Sequence, residues 1–153
     1  MRKEIIGILF FFLVIFTLIS LVSYSPSDPS IHHARAVGPI HNFFGLFGAH
    51  TAGFLVGLFG IGALWIPVIL LICSIHILGG RPHKTLAIIG AGGVLLIITT
   101  GALLAIHQHA YSLFGNRFSA GGLAGIPLKS FLVTYSNSTG AIIILILAWL
   151  IGF

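Results

Sequence analysis

The sequence predicts an all-α integral membrane protein, a helical bundle with four transmembrane helices and short Gly-rich interfacial helices. Of its 153 residues, 58% are hydrophobic and only 6% are charged, whereas soluble domains carry about 25% charged residues. A chain so poor in charge cannot cover a water-facing surface, which excludes a soluble globular enzyme. It also excludes a disordered chain, because such chains are polar and rich in charge.

Four segments have the length and composition of membrane spans, since about 20 apolar residues cross roughly 30 Å of hydrocarbon. They are residues 5–24, 61–78, 86–106 and 139–153. Residues 25–42 and 107–138 are predicted as the two outer loops. The first span follows Arg2 and Lys3 and could be a secretory signal. Its apolar run exceeds the usual signal core and no small-x-small cleavage site follows, so it is interpreted as an uncleaved anchor.

The first outer loop is predicted from its own chemistry. In Ser23-Tyr24-Ser25-Pro26-Ser27-Asp28-Pro29-Ser30, each proline fixes a φ angle and moves the residue before it away from helix. Serine and aspartate side chains can bond the exposed backbone where the chain leaves the lipid. We therefore predict Ser23, Tyr24, Asp28 and Pro29 as a membrane-exit motif.

The apolar stretch 43–78 is too long for one upright span, because as a single helix it would measure about 54 Å. Gly60 and Gly62 mark a weak point within it. We predict a short Gly-rich helix near 43–59 followed by a span over 61–78, and two full spans remain the alternative. The last run, 140–153, would be only about 21 Å long as a helix, so we expect the natural protein to continue beyond it.

The basic residues predict the orientation in the membrane, since lysine and arginine near span ends are retained in the cytoplasm. With four spans, one side holds Arg2, Lys3, Arg81 and Lys84, and the other holds Arg35, Arg117 and Lys129. The first set is denser, because two of its members lie in one short connection. The sequence therefore predicts that both termini are cytoplasmic.

A glycine pattern suggests close helix packing. Gly45, Ala49, Gly53 and Gly57 recur every four residues, which on a helix forms a stripe that another helix can approach closely. The partner is predicted to be either a helix of the same chain or a second subunit.

An internal repeat is also suggested. Gly45-Leu46-Phe47-Gly48 resembles Gly122-Leu123-Ala124-Gly125, and the triplet Phe-Leu-Val begins nine residues after the first glycine of each. Chance similarity in a Gly- and Leu-rich chain is the alternative. A genuine repeat predicts two short helices at equivalent depths.

Eight histidines raise the hypothesis of a metal or proton carrier. His32, His33, His107 and His109 are all predicted on the outer side, where they could combine around a transition metal. The two acidic residues lie outside the spans, however, whereas carriers place ionisable groups at a midplane cavity. We predict no metal site, and a small transporter or channel with a His-rich outer face remains the alternative function.

No catalytic or cofactor-binding set is predicted. The sequence has no Gly-x-x-x-x-Gly-Lys-[Ser/Thr] phosphate-binding motif, and its carboxylates are too few for paired acid–base chemistry. The lone Cys73 lies in an apolar run and is predicted to be a small buried hydrophobic residue.

The exit motif, together with Asn42-Phe43-Phe44-Gly45-Leu46-Phe47-Gly48-Ala49, resembles the FtsK/SpoIIIE-type DNA translocases. The segments Trp65-Ile66-Pro67, Gly121-Gly122-Leu123-Ala124-Gly125 and Thr139-Gly140-Ala141 are similar too, so the resemblance covers essentially the whole chain. It implies a four-span anchor and assembly module at the start of a bacterial cell-division protein, in the inner membrane and at the septum.

The resemblance also implies what this segment lacks. In that family a linker and a hexameric cytoplasmic ATPase follow the membrane module and pump DNA. ATP and DNA binding would therefore belong to a further part of the protein. The implied partners of the present segment are the lipid bilayer, other copies of the chain in a hexamer, and divisome membrane proteins, without direct nucleic acid contact. A membrane chaperone unrelated to DNA is a third hypothesis.

Overall fold

The computed structural model describes residues 2–30, 39–80 and 83–153. Within these ranges the chain forms five α-helices, one 3₁₀ helix and one β-hairpin. The elements in chain order are α1 (Arg2–Val22), α2 (Gly45–Phe59), the 3₁₀ helix (Gly60–Leu64), α3 (Trp65–Leu78), α4 (His83–His107), β1 (Ala110–Leu113), β2 (Asn116–Ser119) and α5 (Gly122–Gly152). Four helical stretches of the described chain are long and apolar enough to cross a membrane, which confirms the predicted fold class.

Helices α1 and α4 are each long enough to cross the bilayer alone. They contain 21 and 25 residues and are therefore about 31 and 37 Å long. Large apolar side chains on the outside of α1 face away from the bundle, among them Ile5, Ile8 and Phe12. In a membrane protein such side chains contact lipid, because hydrocarbon is the solvent on that surface.

The second crossing is a broken helix. Helix α2 ends at Gly60, whose φ of 59° and ψ of −138° are non-helical, and the 3₁₀ helix then leads into α3. Pro67 is tolerated because it lies in the first turn of α3, where a backbone N–H has no partner within the helix. Helix α3 has 14 residues, about 21 Å. Helix α2 packs beside the residues that follow α1, since a Cβ on Gly53 would lie 2.5 Å from Cβ of Ser30.

Residues 107–138, which the sequence predicts as an outer loop, form a hairpin followed by a helix. Only the first part of this segment is a loop, and that part contains the hairpin of β1 and β2, in which Tyr111 pairs with Phe118. From Gly122 the chain is already helical, and α5 bends at Asn137 (φ 61°, ψ 169°). Some of the polar residues that argued for a loop lie on the outer face of this helix, with Tyr135 77% exposed.

Helices α1 and α3 pack side by side in opposite directions, as do α4 and α5. The hydroxyl of Ser74 donates to the carbonyl of Gly7 at 2.9 Å, and the backbones of Gly92 and Gly152 approach each other closely. The start of α1, the end of α3, the start of α4 and the end of α5 therefore lie together, at what we call the terminal end. The described residues between α1 and α2 (23–30 and 39–44), which we call the exit loop, lie at the opposite end together with the hairpin. We call this end the loop end.

The two halves of the chain share local geometry. Helices α2 and α5 both begin at a glycine in the left-handed region, Gly45 with φ 58° and Gly122 with φ 57°. Fifteen residues later both helices break at a residue with positive φ, Gly60 in the first half and Asn137 in the second. This correspondence extends the sequence match and favours an internal repeat over chance similarity.

Three helices meet through one hydroxyl group. Trp65 of α3 and Trp149 of α5 both donate their indole N–H to Oγ1 of Thr100 in α4, at 2.9 and 3.1 Å. A hydroxyl oxygen has two lone pairs and can accept both bonds. The ring centroids of the two tryptophans are 6.2 Å apart. Thr100 therefore links α3 and α5 to α4.

We expect Thr100→Val to destabilise the bundle by about 1 kcal/mol, since hydrogen bonds between membrane helices contribute about 0.6 kcal/mol each. The matched control is Thr134→Val, because Thr134 is exposed and bonds only within its own helix, to the carbonyl of Ser130. Unfolding in detergent, followed by tryptophan fluorescence, measures both. Equal stability of the two variants would contradict this role of Thr100.

Candidate functional site

The candidate site lies at the loop end and begins with a buried carboxylate. Asp28 is only 3% exposed. Its Oδ1 accepts the backbone N–H of His41 at 2.9 Å, and its Oδ2 accepts the backbone N–H of Asn42 at 2.9 Å. Nδ1 of His41 lies 3.1 Å from the same Oδ1. Hydrogen bonds to an ionised carboxylate are among the strongest in proteins, so Asp28 holds residues 28 and 41 together.

Asn42 joins this loop to two helices. Its Nδ2 donates to the carbonyl of Ser20 in α1 at 2.8 Å, and its Oδ1 accepts the backbone N–H of Phe44 at 3.1 Å. A side chain on Gly48 would collide with that Oδ1. We name Ser23, Asp28, His41 and Asn42 the exit-loop clasp, with Ser23 included because its Oγ accepts the backbone N–H of Phe43 at 3.1 Å.

The remaining residues of the predicted exit motif pack beside the clasp. The ring of Tyr24 lies 4.9 Å from that of Phe118 in the hairpin, and Pro29 is buried. Burial, and secondarily the negative charge of Asp28, raise the pKa of the Tyr24 hydroxyl, so it stays neutral at physiological pH. The motif thus connects the end of α1 to the hairpin of the other half. His32, His33 and Arg35 lie outside the described residues.

The predicted glycine stripe on α2 faces partly toward this loop. Ala49 is 2% exposed, and a Cβ added at Gly53 would lie 2.5 Å from Cβ of Ser30. Gly57 lines a small cavity of about 140 Å³ beside Tyr24. A Cβ at Gly45, in contrast, would meet no atom within 4 Å. The middle of the stripe therefore contacts the exit loop of its own chain, while its first residue is open.

Glycines also bring three helices together at the middle of the loop end, a region we call the glycine junction. A Cβ on Gly122 would lie 2.6 Å from the carbonyl of Leu58, and one on Gly125 would lie 2.9 Å from the backbone of Ala102. The backbone N–H of Ile61 donates to the carbonyl of Ala120 at 3.1 Å. Contacts this close require glycine, and they fix the hairpin and α5 onto α2 and α4.

The best-buried apolar cluster lies directly beneath these contacts. It contains Leu21, Ala52, Val56, Ile61, Ala63 and Phe118. The loop end is therefore a packed part of the fold with its own buried residues. The sequence predicts Ser23 and Asp28 of the clasp, but it does not predict that Asn42 and His41 complete it. The available signal is the Asn42 segment, which carries part of the family resemblance.

The predicted topology determinants lie at the terminal end. Arg2 and Lys3 belong to the first turn of α1, and Lys84 is exposed in the first turn of α4. Arg81 lies outside the described residues. Among the residues that the structure does describe, no group of three or more histidine, cysteine or acidic residues could hold a metal ion. Cys73 is buried.

These features define a multi-pass membrane domain in which a hydrogen-bonded loop end caps a bundle of apolar helices. The family comparison then identifies it: the chain belongs to the family described as the 4TM region of DNA translocase FtsK/SpoIIIE, whose model matches residues 1–153.

Relatives from several bacteria agree with this family. The chain is 32% identical over 140 residues to a DNA translocase FtsK of Shewanella oneidensis and 33% identical over 144 residues to one of Vibrio vulnificus. The matches cover 88% and 90% of this chain but only 15% and 14% of the relatives. The chain thus spans about a seventh of the length of these relatives. No solved structure matches it.

Proposed function

We propose that this chain is the membrane anchor and assembly module of a bacterial cell-division DNA translocase, which couples chromosome segregation to closure of the septum. The observation that carries this proposal is the match of the whole chain to the 4TM family region. The relatives named DNA translocase FtsK are about six times as long, so the ATP-driven motor would lie in a further part of the protein. The anchor itself would have no catalytic activity, no cofactor and no contact with DNA.

The proposed orientation places both termini in the cytoplasm of the inner membrane. The start of α1 and the end of α5 lie at the same end of the bundle, together with Arg2, Lys3 and Lys84. Basic residues beside short connections are retained in the cytoplasm. A motor that follows α5 would then have direct access to ATP and to the chromosome.

The proposed assembly is a homo-oligomer, a hexamer by analogy with the family, in contact with other divisome membrane proteins. Tethering several motor subunits to one membrane patch raises their effective concentration and favours ring formation. The open residue Gly45 and the exposed aromatic side chains near it, Phe43 and Phe47, at 80% and 83% exposed, are available for such contacts. The buried part of the stripe would support the exit loop.

Cysteine labelling tests the orientation. Cys73 is the only cysteine, so Cys73→Ser gives a background in which Lys84→Cys or Asn116→Cys is the single thiol. We expect a membrane-impermeant maleimide to label Asn116→Cys in cells with a permeable outer membrane, and Lys84→Cys only after lysis. The reverse pattern would overturn the proposed orientation without affecting the fold.

Localisation tests the division role. A fluorescent fusion of this chain is expected to concentrate at midcell in dividing cells. The control is a fusion to the first span alone, residues 1–24, which carries no loop end. An even distribution of the complete chain around the envelope would contradict the proposed septal anchor.

A further inference from the structure

An apolar groove runs along the bundle from the terminal end toward its middle. It has a volume of about 520 Å³, within the range of about 300–1,000 Å³ that is usual for ligand sites. Helices α3 and α4 and the last turn of α5 form its walls. Its lining includes Trp65, Ile69, Ile88, Gly92, Leu96 and Gly152. The glycines let the backbones of α4 and α5 approach, and the larger side chains leave a channel beside them.

A cation, Lys84, lies one helical turn before the first groove-lining residue of α4. Lys84 precedes Ile88 by four residues and Gly92 by eight, so all three residues share one face of α4. Lys84 is exposed, and its ammonium group has no ion-pair partner among the described residues. Because side chains on a helix lean toward its N-terminus, Lys84 extends toward the headgroup layer.

The length of the groove identifies its occupant. From Lys84 to Leu96 the helix rises about 18 Å, close to the roughly 15 Å of one hydrocarbon leaflet. A phospholipid has this arrangement of groups, with an anionic phosphate at one end and a chain one leaflet long behind it. We infer that this groove binds an anionic glycerophospholipid, with one acyl chain between α3 and α4 and its phosphate beside Lys84.

Tryptophan quenching tests this site directly. The chain has two tryptophans, Trp65 in the groove wall and Trp149 beside it. We reconstitute the chain in phosphatidylcholine vesicles that contain a minor fraction of lipid brominated on its acyl chains, either phosphatidylglycerol or phosphatidylcholine. Bromine quenches indole fluorescence only at short range. Brominated phosphatidylglycerol is expected to quench about five times more per mole, the preference that one surface cation provides.

Two variants and their two controls separate the site from general membrane contact. Lys84→Gln should make the two brominated lipids equivalent, whereas Lys129→Gln, at the loop end, should keep the preference. Ile88→Phe should fill the groove and remove the preference, whereas Ile8→Phe, on a similarly exposed residue of α1, should keep it. Helical circular dichroism confirms that each variant is folded. Equal quenching by both lipids in the unmodified chain, or a preference that survives Lys84→Gln, would overturn the inference.

Discussion

Asp28→Asn is expected to destabilise the loop end by about 2–3 kcal/mol. The carboxylate of Asp28 accepts backbone N–H groups of His41 and Asn42 with its two oxygens, and an amide offers only one oxygen. Its NH₂ group would then face an N–H donor, which leaves a buried donor without a partner. Such a group costs about 1–3 kcal/mol, and the lost charge of the acceptor adds to it. Unfolding in detergent micelles measures the effect.

The control variant for this prediction is His41→Ala. The imidazole of His41 is 59% exposed, and its removal leaves both backbone N–H donors to Asp28 in place. Exposed ion pairs contribute about 0–1 kcal/mol, so this variant should retain most of the stability. If His41→Ala were as damaging as Asp28→Asn, the side-chain pair and not the backbone clasp would hold the loop.

The spans were predictable because membrane crossing depends on local composition. The apolar runs that predicted α1 and α4 needed no information about neighbours, since hydrocarbon replaces a specific core as the environment of their outer faces. The break at Gly60 was predictable for a similar reason, because the thickness of the bilayer limits the length of an upright helix. The end of α1 and the start of the exit loop were predictable from the two X-Pro pairs, because the residue before each proline is unlikely to be helical.

The clasp and the first half of α5 were not predictable in the same way. The partners of Asp28 lie 13 and 14 residues away, and a composition argument does not pair such positions. Residues 122–136 were predicted as part of an outer loop because polar residues such as Lys129 and Tyr135 make this segment unsuitable as a span. A helix can nevertheless carry such residues on its outer face. The match between Gly45 and Gly122 contained the correct information, since it assigned a helix to both segments.

The clasp and the glycine junction together explain how this membrane domain holds its loop end together without a large soluble core. Apolar surface alone does not bring helices together in lipid. The loop end instead combines charge-assisted hydrogen bonds at Asp28 with direct backbone contact at Gly122. Each connects elements from different parts of the chain, so each should lower the stability of the whole bundle when it is lost.

Gly122→Ala is expected to destabilise the bundle by about 3–4 kcal/mol. Its φ of 57° disfavours an L side chain by about 1–2 kcal/mol. The new Cβ would also lie 2.6 Å from the carbonyl group of Leu58, a backbone group that cannot rotate away. Overpacking of this kind costs about 1–3 kcal/mol more. Thermal unfolding in detergent, followed by circular dichroism, measures the total.

Gly45→Ala is a closely matched control for this change. Gly45 begins α2 as Gly122 begins α5, and its φ of 58° carries the same conformational cost. Its Cβ, however, would meet no atom within 4 Å, so only about 1–2 kcal/mol should be lost. The difference between the two variants therefore measures the backbone contact at the glycine junction. If both lost the same stability, the junction would contribute nothing, and the cost would be that of the left-handed backbone alone.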